Sequence, residues 1–262
     1  MTKGFHDRTV LIPGGGRGIG FAAGIMMAKE GANVALADIM GERAVEAAER
    51  VKNETGARTH GIPCDIVNVD SVQKMLSITE ENLGPVDIVV NTAAIVADKT
   101  FMESRPEDWR QMIDICLFGS MNVIHAVLPG MVQRSFGRIV CLASDAARTG
   151  QARHSYYAAA KGGVISLVKS IAQEVGRNGV TLNVVSPGAT DTELRRDRET
   201  EVLNAIGQER YARREQAILR MYPTRRLGKP DDIAAGIVYL CGDDSSWVTG
   251  QVLSINGGFS MM

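Results

Sequence analysis

Short runs of Val, Ile and other apolar residues recur along the chain, separated by longer stretches whose apolar positions return every three or four residues. The runs are Thr9–Ile12, Asn33–Ala37, Thr59–Ile62, Val86–Val90, Arg138–Leu142, Val180–Val185 and Val252–Ile255. They do not alternate polar with apolar, which predicts strands buried on both faces, as in a parallel sheet covered by helices. The intervening stretches, such as Gly41–Glu54, Asn68–Asn82 and Pro106–Ile115, supply those helices. Strand–helix alternation with right-handed crossovers gives a doubly wound α/β fold with a seven-stranded parallel sheet. The chain reads as one domain over residues 1–262 without repeat or linker, and the long charged stretch between Ala189 and Arg226 is its one insertion.

No formal charge falls between Ile115 and Gln133, yet Asn122, His125, Pro129 and two glycines interrupt that run. A buried helix fits it better than a membrane span. With 45% hydrophobic and 23% charged residues the chain is no disordered polymer. A net charge of −1 lacks the basic surplus of a nucleic-acid binder. The four cysteines (64, 116, 141 and 241) form no CxxC pair, and the four histidines form no ligand-spaced cluster, so no metal site is expected. The opening MTKGFHDR has no apolar leader segment, and a reduced cytoplasmic protein is the expectation.

The 28 glycines are above background, and five of them lie in Gly14-Gly15-Gly16-Arg17-Gly18-Ile19-Gly20. That segment follows the first strand and opens a helix, where glycine lets a pyrophosphate approach the backbone and the helix N-terminus. Asp38 ends the second strand, 24 residues after Gly14, where a carboxylate accepts the ribose hydroxyls of NAD and repels a 2′-phosphate. Arg17 is the cation that stands nearby in sequence. Tyr157 and Lys161 are four residues apart, on one face of a helix, so the lysine cation can favour the phenolate. Tyr156 meets Ala160 at the same spacing and lacks that support.

The glycine spacing resembles that of the short-chain dehydrogenase/reductase family, and the likeness continues along the chain. Asp65 in Cys64-Asp65-Ile66 is similar to the family's adenine-contacting acid, and Asn91-Thr92-Ala93-Ala94 to its fourth-strand element. Pro187-Gly188-Ala189-Thr190-Asp191-Thr192 resembles the segment that receives the carboxamide, and Val248-Thr249-Gly250-Gln251 with Asn256-Gly257-Gly258 the C-terminal signature. Ser144, thirteen residues before Tyr157, stands at the spacing of the serine that holds the substrate oxygen. The resemblance implies a Rossmann-type domain that binds NAD through Gly14, Gly16, Arg17, Gly18, Ile19, Gly20, Asp38, Asp65, Ile66, Asn91, Ala93, Pro187, Gly188, Thr190 and Thr192. It implies catalysis by Ser144, Tyr157 and Lys161, the last two also touching the cofactor. The expected reaction interconverts a secondary alcohol and a ketone, NAD favouring oxidation.

Two departures stand out. Pro13 occupies the position of the family's Thr or Ser before the first glycine, and Cys116 that of an asparagine which helps to hold a proton-relaying water. A catalytically weak, cofactor-binding subunit supporting a paralogue is therefore carried beside the enzyme, as is an NADH-dependent ketone or quinone reductase. The phrases Ser144-Asp145-Ala146-Ala147-Arg148, Lys161-Gly162-Gly163-Val164-Ile165 and Pro187–Leu194 resemble a branch acting on cyclic or aromatic hydroxyacyl-CoA esters. Between Ala189 and Arg226 nine arginines meet seven acids. Two readings are open: a solvated helical lid laced by i,i+4 pairs, or arginines for the phosphates of CoA. Leu194, Leu203, Ile206, Ile218, Leu219 and Met221 are expected to cover the substrate. His154, at i, i+3, i+7 with Tyr157 and Lys161, reads either as a plain residue at a helix start, which is favoured, or as one that looks toward the cleft mouth. A homotetramer is the family's usual assembly.

Overall fold

The inner apolar runs become parallel strands because both of their faces meet a helical layer, while the edge strands at Thr59–Pro63 and Val252–Ile255 are only partly covered. The computed structural model describes residues 4–261, so the first three residues of MTKGFHDR lie outside the described residues. The strands are β1 (Thr9–Pro13), β2 (Asn33–Asp38), β3 (Thr59–Pro63), β4 (Val86–Asn91), β5 (Gly137–Leu142), β6 (Val180–Pro187) and β7 (Val252–Ile255). Their order is β3-β2-β1-β4-β5-β6-β7, with all pairings parallel. The chain starts at the centre, winds outward to β3, then returns to β4, so the crossovers diverge between β1 and β4. Ligands of open α/β sheets bind in the crevice at such a switch point, outside the carboxyl ends of the strands.

Successive residues of β1 enter different cores. Leu11 joins Val89, Val123, Val127, Met131, Val164 and Val168 on one face of the sheet. Val10 and Ile12 join Leu36, Val90, Met27, Ile233 and Ile237 on the other. This double burial explains why β1 shows no alternation. The helices are α1 (Gly18–Lys29), α2 (Gly41–Thr55), α3 (Val69–Leu83), α4 (Pro106–Ile113), α5 (Gly119–Gln133), α6 (Ala146–Thr149), α7 (Ser155–Val175), α8 (Glu193–Ile206), α9 (Gln208–Met221) and α10 (Pro230–Cys241).

The main differences from expectation lie in two places. The helix expected over Pro106–Ile115 stops at Ile113 and widens into a π-turn at Asp114–Phe118 before α5. Within the wider turn the Ser120 hydroxyl donates to the Cys116 carbonyl at 2.8 Å. The continuous helical run Pro106–Gln133 is long and apolar enough to cross a membrane by length and composition, and only 39% of its most apolar window is buried. Val123, Ile124, Val127 and Met131 seat it on the sheet, while Phe118 is half exposed. Burial is thus confined to one side of the helix, which packs on the sheet through that face.

The charged insertion forms two helices, α8 and α9, joined at Gly207, whose φ of +79° favours glycine. The Thr192 hydroxyl caps α8 by accepting the Arg195 N–H at 3.2 Å. Their roots are tied by a Thr190–Gly228 bridge and by the Ala189 N–H donating to the Tyr222 hydroxyl at 2.9 Å. The helix pair is therefore set over the carboxyl end of the sheet.

Candidate active site

A cleft of about 890 Å³ opens where the strands end at the switch point, roofed by α8 and α9. Its floor is the glycine segment. Gly14 has φ of +78°, and a Cβ there would lie 2.6 Å from the Ala93 nitrogen. At Gly20 a Cβ would fall 2.5 Å from the Thr92 hydroxyl oxygen. Only glycine permits this closeness, which leaves a backbone cradle at the start of α1. Pro13 does not disturb it, because its carbonyl accepts both the Thr92 N–H and the Thr92 hydroxyl at 2.9 Å.

Gly14, Arg17, Gly18, Ile19, Gly20, Asp38, Asp65, Ile66 and Ala93 line the cleft, as do Pro187, Gly188, Thr190 and Thr192. Gly16 and Asn91 do not. Gly16 stands behind the loop, where a Cβ would meet Asp38 Oδ2 at 2.6 Å. Asn91, the buried last residue of β4, donates to the Ser120 hydroxyl at 2.9 Å, leaving its Oδ1 without a hydrogen-bond partner. Asp38 is almost buried and accepts the Met40 N–H at 3.0 Å. Arg43 also lines the cleft, with Nη1 3.7 Å from Asp38. A second cation therefore joins Arg17 here. It comes from α2, out of reach of an argument confined to the glycine loop. A carboxylate beyond a glycine cradle, flanked by polar strand ends, fits an adenine dinucleotide.

Ser144, Tyr157 and Lys161 converge on one wall of the cleft. Lys161 is buried, and its ammonium donates to the Leu142 carbonyl at 2.7 Å. Burial pushes the Tyr157 phenol up from its ordinary value, while Lys161, a hydrogen bond with Ser144 and the Arg198 charge pull it down. Lys161 acts in the expected direction, but desolvation outweighs it. Tyr156 points away from the cleft into a cluster with Met112, Cys116 and Ala160, and its buried hydroxyl has no hydrogen-bond partner. Cys116 is fully buried too, with Sγ 3.6 Å from the Ile95 carbonyl and 3.7 Å from Met112 Sδ.

His154 stands at the start of α7 and also lines the cleft, as the less favoured of its two readings had it. Arg153 adopts φ of +68°, held by ion pairs to Asp98 and Glu103, and this turn aims the next side chain into the cleft. The His154 ring packs edge-on to Tyr157 with centroids 6.0 Å apart. Burial pushes its pKa down, and Nδ1 lies 3.2 Å from the Ala152 carbonyl. A neutral ring donating from Nδ1 leaves Nε2 as an acceptor, 3.5 Å from Arg198 Nη1. Asp145 was also missed. Its buried carboxylate accepts from Ser186 at 2.7 Å, Ser260 at 3.1 Å, Ser254 at 3.2 Å and Asn256. This pins the residue after Ser144 to β6, β7 and the C-terminal segment. No local pattern signals it, because the donors lie 41 to 115 residues away.

From the insertion, Leu194, Ile218 and Met221 line the cleft, whereas Leu203, Ile206 and Leu219 do not. Helical rotation carries those three to other faces. The arginines of the insertion divide into two groups. Arg213 pairs with Glu209 (i,i+4) and Arg196 with Asp191 on the outside, while Arg195, Arg198 and Arg214 line the cleft.

The family model described as enoyl-(acyl carrier protein) reductase matches residues 14–260. An acetoacetyl-CoA reductase of Shinella zoogloeoides is 36% identical over 252 residues, 96% of this chain and 98% of that one. A 3-oxoacyl-(acyl-carrier-protein) reductase of Vibrio cholerae is 33% identical over 258 residues, covering 98% and 99%. The chain belongs to the short-chain dehydrogenase/reductase family. The crystal structure of a levodione reductase superposes with a TM-score of 0.91 at 30% identity, over 97% of this chain and 98% of that one. As a short-chain dehydrogenase/reductase the protein is an oxidoreductase of a family that binds a nicotinamide cofactor, which accords with the glycine cradle below β1 and β4.

Proposed function

We propose that the protein interconverts a secondary alcohol and a ketone with NAD, by proton transfer at Tyr157. The observation that carries this reading is the meeting of Tyr157, Ser144 and Lys161 on the wall facing the glycine cradle. When bound there, the nicotinamide ring accepts or donates the hydride. Tyr157 takes the hydroxyl proton of the alcohol, or returns it to the ketone oxygen, and Ser144 holds that oxygen by a hydrogen bond. Lys161, fixed at one donor by the Leu142 carbonyl, directs its charge at the phenol and its remaining donors at the cofactor ribose. The α8–α9 pair acts as a lid that keeps water from the reacting atoms.

Asp38 supports NAD over NADP, since its carboxylate repels a 2′-phosphate and accepts ribose hydroxyls. Arg17 and Arg43 weigh against it, yet Arg17 pairs with Asp197 at 2.8 Å and Arg43 lies beside Asp38 itself. The substrate class we favour is a cyclic or aromatic 3-hydroxyacyl compound, borne as a CoA thioester. Relatives named for acetoacetyl-CoA and 3-oxoacyl carriers support the 3-oxoacyl half of that reading. Their names also favour reduction as the alternative direction. A supporting role beside an active paralogue rests on one observation, the buried Cys116 in place of asparagine. For the assembly we favour a homotetramer, to which the exposed Trp247, Tyr239 and Phe118 would contribute apolar surface.

The test is a panel of secondary alcohols, 3-hydroxyacyl-CoA esters among them, assayed with NAD and NADP by nicotinamide absorbance. Turnover with NAD on at least one cyclic or aromatic 3-hydroxyacyl ester is expected. Turnover with NADP alone overturns the cofactor assignment, and inertness despite tight NADH binding favours the supporting subunit.

A further inference from the structure

Three arginines of the lid face the cleft while their acidic partners stand behind them. Glu199 is buried and accepts from Arg198 Nη2 at 2.9 Å and from Arg214, with Arg195 Nη1 3.6 Å away. Its carboxyl is held below the ordinary carboxylate range by those guanidinium groups, against the opposing effect of burial. Glu215 lies 3.5 Å from Arg195 Nη2, and Asp98, already paired to Arg153, lies 3.8 Å from Arg214. None of these three acids lines the cleft, whereas Arg195, Arg198 and Arg214 all do. On the cleft side the face of this cluster is cationic; Glu107 and Asp114 belong to the wall near α4, and Glu193 lies near Gly18.

Two donors of this cluster lack a hydrogen-bond partner. Arg198 Nε is one; the other is Arg195 Nη2, which is met only by the Glu215 carboxylate at 3.5 Å, without a hydrogen bond. Buried charged donors are costly to leave without a hydrogen bond, so their persistence at a cleft wall calls for an acceptor. A planar oxyanion bound by the guanidinium fork supplies one.

Its position limits what the oxyanion can be. Arg198 is one imidazole ring away from Tyr157: it lies 3.5 Å from His154, whose ring packs on the tyrosine. A CoA phosphate is separated from the reacting carbon by the whole pantetheine arm, too far for this position. We infer that Arg195 and Arg198, with Arg214 behind them, form a carboxylate subsite for the acyl part of the substrate, close to the carbinol carbon. His154 completes it as a neutral acceptor that holds Arg198 toward the cleft. The substrate class is thereby narrowed to hydroxy acids, or to acyl thioesters whose acyl part carries a free carboxylate besides the thioester. This rests on the cleft being the reaction site proposed above.

Calorimetric titration of benzoate into the full-length protein, with and without NADH, tests the subsite. Binding is expected in both conditions, weakened at least tenfold by Arg198→Gln and by Arg195→Gln. Arg213→Gln, on the outer face, should leave it unchanged, and Arg198→Lys should restore part of it. Methyl benzoate, which lacks the charge, should not distinguish the variants. Benzoate affinity indifferent to both Gln substitutions, or no benzoate binding, overturns the inference. So does inorganic phosphate that binds more tightly than benzoate and is lost with the same arginines, because the group would then serve CoA. NADH fluorescence on the same samples separates the two levels: absent NADH binding counts against the cofactor reading, while the NADH-free titration still decides the subsite.

Discussion

Arg17 Nη1, in the glycine loop, lies 2.8 Å from Asp197 Oδ2 on α8, so the cofactor cradle and the lid are joined by an ion pair 180 residues apart in sequence. Asp197 is largely exposed, and such pairs contribute about 1 kcal/mol or less. Asp197→Asn should therefore leave the melting temperature nearly unchanged. It should instead free Arg17 within the cleft and raise the NADP to NAD ratio of kcat/KM several-fold, an effect that fades at high salt. A ratio that does not move would show that Arg17 takes no part in cofactor choice.

Removing the carboxylate at Asp38 makes the stronger version of that prediction. Asp38→Asn loses a charged acceptor for the ribose hydroxyls, worth about 1.5–3 kcal/mol, or roughly 10- to 100-fold in kcat/KM with NAD. NADP should gain, since Arg43 and Arg17 then meet the 2′-phosphate without an opposing charge. Steady-state kinetics with both cofactors measures the exchange; a protein already indifferent to the two would contradict it.

The pH dependence follows from Tyr157. Oxidation needs the phenolate as base, and burial raises the phenol's pKa, so less of the active form is present at neutral pH. The rate of alcohol oxidation should therefore climb with pH through the neutral range. Lys161 opposes the rise in pKa, so Lys161→Met should move the ascending limb further to the alkaline side. A limb that stays in place, or moves toward acid, would contradict the assignment of the lysine.

Cys116→Asn tests the departure from the family pattern. The Ile95 carbonyl could accept from the new amide, but Met112 Sδ offers the amide oxygen no donor. A buried unsatisfied acceptor costs about 1–3 kcal/mol. The Cys116 carbonyl is meanwhile already engaged by Ser120. The substitution should lower the melting temperature without raising turnover. Faster turnover would show that the thiol impairs a proton relay.

How much of this was legible in the sequence depended on how local the cause was. All seven strands could be read, the inner ones because burial on both faces leaves continuous apolar runs; several ends, such as Pro13, Pro63 and Pro187, extended further. Glycine spacing and the Tyr157–Lys161 interval were legible because they are set within one loop and one helix turn. The choice between the two readings of His154 was not legible, since its direction is fixed by the left-handed turn at Arg153 and by Asp98 on a distant segment. Arg43 and Asp145 were missed because their partners come from other elements. The cleft-facing arginines could be counted but not oriented, as rotation about the helix axes separates Arg195 and Arg198 from Arg196.

The central claim is proton transfer by Tyr157, and Tyr157→Phe measures it most directly. With NAD and a turned-over alcohol, the substitution should reduce the rate by about 10²–10⁴-fold while NADH fluorescence titration stays the same. An unchanged rate in the Phe variant, with NADH still bound, would contradict the account.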